Sequence, residues 1–394
     1  MTNMKAGQMR TDVLNDEAIL TPITTLAPAS VVRRLPTLDR FLPLWIFAAI
    51  ALGIALGRIF PGLGTALNRV QVAGVSVPIG IGLLWMMYPV LAKVRYESIG
   101  PHIRDTKLLG TSLFFNWVLG PIVMFALAWA FLPDLPSYRN GLVLIGLARC
   151  IAMVLIWNSL ACGSAELAAV LVALNSVFQI LTYSFLGWLF LSVVPGWFGS
   201  ETAVVHVSIW AIAKSVLIFL GIPLLAGYLT RRILVARRGE MWYDGTFMPR
   251  FGPTALVGLL YTIVLMFAMQ GDRILHLPFD VLRIAVPLVI YFFVMFGLAF
   301  AVSKRLGFGY QETASLSFTA AGNNFELAIA VAVATFGIGS GEALAAVVGP
   351  LIEVPALIGL VYVSLWAGRR FFGFTPDGVA RMGAAEPGSR DRGV

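Results

Sequence analysis

Two short segments gather most of the reactive side chains buried in the apolar stretches of this chain. Gly146-Leu147-Ala148-Arg149-Cys150 sets a thiol beside a guanidinium, and Gly322-Asn323-Asn324-Phe325-Glu326, 176 residues later, sets a carboxylate beside two amides. A thiol is a soft donor suited to a soft centre, and a neighbouring arginine favours its anionic form. The other reading of Cys150 is packing, since a buried cysteine behaves as a small hydrophobe. Glu326 follows Gly322-Asn323-Asn324, a run of poor helix formers, and precedes the apolar run Leu327 to Ala334. Unwinding at the asparagines would free backbone groups and aim a half-helix N-terminus at the bundle centre. An apolar setting opposes charge, so Glu326 could exchange a proton near neutral pH. The alternative reading is a structural carboxylate paired with Arg149 across the repeat axis.

Other candidates are weaker. Glu353 lies in Gly349-Pro350-Leu351-Ile352-Glu353-Val354-Pro355, where two prolines remove backbone donors and kink a helix. It serves either as a site wall or as support for the kink. Its counterpart in the first half is Asn175-Ser176-Val177-Phe178-Gln179, and Asn158 is of the same kind. Lys214 lies near a span start and can snorkel to the interface, while Glu166, Glu312 and Glu342 open helices as N-terminal carboxylates. His102, His206 and His276 match no ligand spacing, so no resident metal or cofactor is expected. Only Cys162 accompanies Cys150; twelve residues apart on a continuous helix, they are separated by about 18 Å and about 120°. A disulfide or joint metal site is not expected. The chain has no phosphate-binding Gly-x-x-x-x-Gly-Lys-Ser/Thr loop, no His-Glu-x-x-His and no Gly-x-Ser-x-Gly, which argues against an enzyme.

The elements that must hold these residues are membrane helices. The chain is 59% hydrophobic and 12% charged, with a mean hydropathy of +0.86. A soluble domain of this size could not cover so much apolar surface with so few charges. Windows long enough to cross about 30 Å of hydrocarbon give ten spans near 41–60, 77–92, 108–132, 139–161, 165–193, 208–232, 253–270, 281–303, 311–336 and 342–367. The segment Lys93 to Lys107 is expected along the interface. With a cytoplasmic N-terminus, 21 Lys and Arg fall inside and 5 outside, which places both termini in the cytoplasm. The net charge of +8 therefore reports topology, and no nucleic-acid partner is expected.

Ten spans divide into a first five-helix repeat over 41–193 and a second over 208–367. They are flanked by cytoplasmic tails at 1–40 and 375–394, the latter expected to be disordered; the leading tail lacks the pattern of a cleaved secretory signal. An odd number of spans per repeat inverts the second copy. Spans four and nine then correspond, and both carry a glycine break; Arg149 in the middle of span four favours an interrupted helix over a lipid-facing one. The expectation is an all-α membrane transporter with broken helices four and nine. A single thiol suits transport, because the cargo must also leave.

Three motifs in order, Gly146 to Trp157, Gly322 to Val333 and Val348-Gly-Pro-Leu-Ile-Glu-Val-Pro355, resemble the signatures of the arsenical-resistance arsenite efflux family. That family lies within the bile acid/arsenite/riboflavin transporter superfamily, and the likeness extends over roughly residues 40 to 370. The resemblance implies a ten-helix fold whose broken fourth and ninth helices cross near the midplane of the cell (inner) membrane. It implies arsenite export, generally by proton exchange and sometimes extending to antimonite, with the essential cysteine at Cys150 and the essential glutamate at Glu326. Arg149, Asn323, Asn324 and Glu353 complete the expected binding set. Ala161-Cys162-Gly163-Ser164 departs from the acidic turn common in relatives, which leaves Cys162 without an expected role. Two alternatives stay open: a sodium-coupled organic-anion symporter using Glu353, Asn175 and Gln179, and a membrane receptor that binds arsenite without moving it.

Overall fold

The ten apolar windows fall on helices, two of them interrupted, in the computed structural model, which describes residues 41–67, 69–72, 75–95, 105–151, 153–197, 208–274 and 278–374. The expected tails, the middle of the Lys93–Lys107 segment and all three histidines lie outside the described residues. The first windows form α1 (Leu42–Ile59) and, after a short α2 (Leu63–Leu67) and a hairpin of β1 (Gln71–Val72) and β2 (Val75–Ser76), α3 (Val77–Ala92). Then come α4 (Thr106–Phe131), the half-helices α5 (Pro136–Leu147) and α6 (Met153–Leu160), α7 (Ala165–Trp197) and α8 (Ile209–Arg238). A helical segment α9 (240–251), not anticipated from the sequence, leads to α10 (Thr254–Ile274) and α11 (Pro278–Arg305). The half-helices α12 (Tyr310–Ala321) and α13 (Phe325–Phe336) precede the long α14 (Gly341–Phe372). Six helical stretches among the described residues are long and apolar enough to cross a bilayer. Apart from that hairpin of two-residue strands, the described segments build a helical membrane protein.

Local chemistry sets the ends. Asp105 accepts the amide of Leu108 at 3.0 Å and starts α4. Ser164 does the same for Leu167 in α7, and Ser340 for Ala343 in α14; each satisfies an amide the helix cannot. Glu312 accepts the amide of Gly309 in a capping box. Glu342 opens α14 but is also buried against Asn140 of α5, 3.4 Å away. The prolines at 350 and 355 do not interrupt α14.

Packing separates two groups of helices. In one, α10 lies against α1 and α3, and α3 against α8. Close approach here needs a glycine: a Cβ on Gly53 of α1 would sit 2.6 Å from the carbonyl of Val264 in α10. In the other group α11 packs on α4, α12 and α14, and α14 packs on α5 and α13. Both broken helices belong to this second group, among residues that are almost wholly buried.

Candidate functional site

The two breaks meet each other. Ala148 ends α5 and Gly322 ends α12, each in extended backbone. Arg149 and Asn323 then pair as an isolated antiparallel bridge. The amide of Cys150 donates to the carbonyl of Gly322 at 3.3 Å, and the amide of Asn324 donates to that of Ala148 at 3.1 Å. The bridge solves the difficulty of ending helices in an apolar interior, because each break supplies the partners the other lacks. Only a glycine fits at 322, where a Cβ would fall 2.9 Å from that of Cys150.

Side chains from the following helices complete the same pattern. The amide of Arg149 donates to Gln179 Oε1 of α7 at 3.0 Å, and the amide of Asn323 donates to Glu353 Oε1 of α14 at 3.4 Å. Asn323 Nδ2 adds bonds to the carbonyls of Ile145 and Ala148, at 2.8 and 3.1 Å. Pro136 and Tyr310, Leu147 and Ala321, Arg149 and Asn323, Gln179 and Glu353 are all 174 residues apart. The spacing of 176 taken from the glycines is therefore off by one pair of residues. Cys150 corresponds to Asn324, not to Glu326. Both begin a half-helix: Cys150 Sγ accepts the amide of Val154 at 3.3 Å, and Asn324 Oδ1 that of Leu327 at 3.0 Å.

Arg149 is not paired with Glu326. Its guanidinium is completely buried, donates to the hydroxyl of Tyr291 in α11 at 2.9 Å and folds back onto the carbonyl of Gly146. Among the described residues no carboxylate forms an ion pair with it. The side chain turns towards α4 and α11, where Gly120 leaves room for it, and so away from the acidic residues.

Glu326 and Glu353 face a cavity of about 710 Å³. The wall also includes Ile151, Met153, Phe325 and Pro350, and towards the mouth Lys93, Asp244 and Met248. The cavity thus lies between the two helix groups, as ligand sites commonly do. Cys150, at 2% exposure, is not in its wall; nor are Arg149, Asn323 and Asn324. The cavity therefore presents the carboxylates and not the thiol. The thiol sits one residue behind Ile151, in the crossing itself. Asn323 Oδ1 and Asn324 Nδ2 are buried there without hydrogen-bond partners among the described residues.

Sequence reasoning missed Tyr291, although it is a lone polar group in the apolar run 284–302. It also missed the ion-pair cluster at the mouth, where Arg231 bonds Glu240 and Asp244 at 3.1 Å each, and Arg95 reaches the same two acids. Asn175 is buried with its Nδ2 unpartnered among the described residues, and Asn158 joins Ser315 at 2.8 Å across the far ends of the half-helices. Lys214 is exposed on α8. Cys162 occupies a turn at φ 56°.

Residues 80–277 match the sodium bile acid symporter family. The chain is 54% identical over 339 residues to the arsenical-resistance protein Acr3 of Corynebacterium glutamicum, covering 86% of this chain and 92% of that one. It is 34% identical to the arsenical-resistance protein Acr3 of Alkaliphilus metalliredigens, over 83% of this chain and 92% of the relative. A protein of Synechocystis sp. described as an uncharacterised transporter is 35% identical, over 82% and 88%. These relatives are transport or resistance proteins rather than enzymes. The chain belongs to the sodium bile acid symporter family and, within it, to the arsenical-resistance Acr3 group.

Proposed function

We propose that this protein is a secondary transporter that exports arsenite from the cytoplasm in exchange for protons. The supporting observation is the buried junction of two interrupted helices, with a thiol at one and, in the cavity beside it, two carboxylates. Its likeness to arsenical-resistance proteins supplies the cargo. In this reading the fold is ten transmembrane helices in two inverted five-helix repeats. The breaks at 148–151 and 322–324 cross near the midplane of the cell membrane, and both termini are cytoplasmic.

Arsenous acid is largely neutral at physiological pH, so attraction to the site rests on As–S bonding and hydrogen bonds rather than net charge. Cys150 is the soft ligand. The unpartnered Asn323 Oδ1 and Asn324 Nδ2 offer an acceptor and a donor to its hydroxyl groups. The mouth bearing Lys93 and Asp244 opens on the side where the basic loops lie, so cargo enters the cavity from the cytoplasm. It reaches Cys150 when Ile151 moves aside. Glu326 exchanges the coupling proton, and Glu353, held on the amide of Asn323, links that wall to the crossing.

Arsenite uptake into everted membrane vesicles tests this reading. With an acidic lumen and no sodium, vesicles carrying the protein should accumulate arsenite, and dissipating the pH gradient should stop it. No uptake, or uptake that requires a sodium gradient, would overturn the proposal and favour sodium-coupled symport. Binding without uptake would indicate a receptor.

A further inference from the structure

The family description names sodium, and the residues at the first interruption do not fit that ion. At a broken membrane helix a coupling cation is held by the unwound carbonyls and the C-terminal end of the leading half-helix. Here four of the carbonyls at that end are taken by side chains. Ile145 and Ala148 accept from Asn323 Nδ2, Leu144 accepts from the hydroxyl of Tyr183 at 2.9 Å, and Gly146 accepts from Arg149. The guanidinium is fully buried, tied to Tyr291, and without an ion-paired carboxylate among the described residues. A charge so placed is costly unless something compensates it. The compensation is the negative end of the α5 dipole together with the Gly146 carbonyl.

We propose that Arg149 is a built-in cation that stands where a coupling sodium ion would otherwise bind at the first interruption, so that this chain needs no sodium. The contrast with the second interruption supports the assignment. There the equivalent position is the neutral Asn323, and the cation-compatible groups are Glu326 and Glu353, which belong to the cavity. One half of the crossing carries a fixed charge and the other carries exchangeable ones. Arg149 is thereby a positioning residue, sealed from the cavity, that holds the break carrying Cys150.

The test compares purified wild type, Arg149→Lys and Arg149→Ser in sodium and in equimolar potassium. Melting temperature is read in detergent and arsenite transport in proteoliposomes. The transport arm rests on the export reading; the stability arm involves no arsenite and stands if that reading fails. Wild type should show no sodium-specific change in either. Arg149→Lys should keep sodium-independent transport. Arg149→Ser should lose transport about tenfold in potassium and regain part of it in sodium, with a sodium-specific rise in melting temperature of about 2–4 °C. Sodium-specific stabilisation of wild type would overturn the proposal. So would an Arg149→Ser protein that transports normally in potassium, or a folded one that sodium neither stabilises nor rescues. If Arg149→Ser fails to fold, the wild-type comparison and the activity of Arg149→Lys decide.

Discussion

The two interruptions share a backbone and differ in chemistry. Both end a 12-residue half-helix in extended conformation, both donate an amide to a side chain 30 residues further on, and each satisfies the other's backbone across the bridge. Around the first stand a thiol, a buried guanidinium and a neutral amide acceptor, Gln179. Around the second stand two asparagines and two carboxylates. The difference teaches that the hydrogen-bond frame is a structural requirement of breaking a helix in an apolar medium. In the proposed function, the side chains hung upon that frame supply soft-ligand chemistry on one side and proton chemistry on the other.

Exchanging or deleting these chemistries should break the comparison to different degrees. Cys150→Ser keeps the volume and removes the soft donor. It should lower arsenite transport by at least about 100-fold at normal expression, measured as resistance in arsenite-sensitive cells. Full resistance would return Cys150 to a packing role. Gly322→Ala attacks the shared frame instead, because the new Cβ would meet that of Cys150 at 2.9 Å. A loss of about 1–3 kcal/mol is expected from overpacking, read by denaturation in detergent. An unchanged midpoint would mean that the two breaks are less closely apposed.

Asn323→Ala removes the bonds to Ile145 and Ala148 while leaving the bridge amides in place. Hydrogen bonds between membrane helices are worth about 0.6 kcal/mol on average, so the loss should be about 1 kcal/mol, with transport impaired through the crossing. The smallest effect belongs to Cys162, outside both frames. Its φ of 56° suits glycine, so Cys162→Gly should stabilise by about 1 kcal/mol and leave transport intact. A transport defect there would show that the second thiol does more than turn the chain.

Much of this was legible in the sequence because the bilayer imposes length and satisfaction rules. The apolar windows fell on helices, two of them as pairs of half-helices, and glycines beside polar residues located both breaks. The correspondence between the halves was misread by two residues. The glycines suggested 176, whereas hydrogen bonding aligns Ala148 with Gly322 and Cys150 with Asn324; a backbone bridge is set by amide geometry, which side-chain identity does not record. The alternative of a pair between Arg149 and Glu326 stayed open in the sequence for a similar reason. Which way a long side chain turns depends on the room left at Gly120 and the hydroxyl at Tyr291, on helices distant in the chain. Helix α9 and the acids of the cavity mouth were passed over as a basic loop, since a stretch that lies beside a span leaves no apolar window.

The central claim is that the carboxylate side of the crossing couples protons to a cargo held on the thiol side. Its most direct test is Glu326→Gln, which fixes the neutral form, assayed as arsenite accumulation in everted vesicles over a series of lumen pH values. The account expects gradient-driven accumulation to disappear while arsenite binding or exchange persists. Accumulation by Glu326→Gln that still rose in proportion to the pH gradient would contradict it.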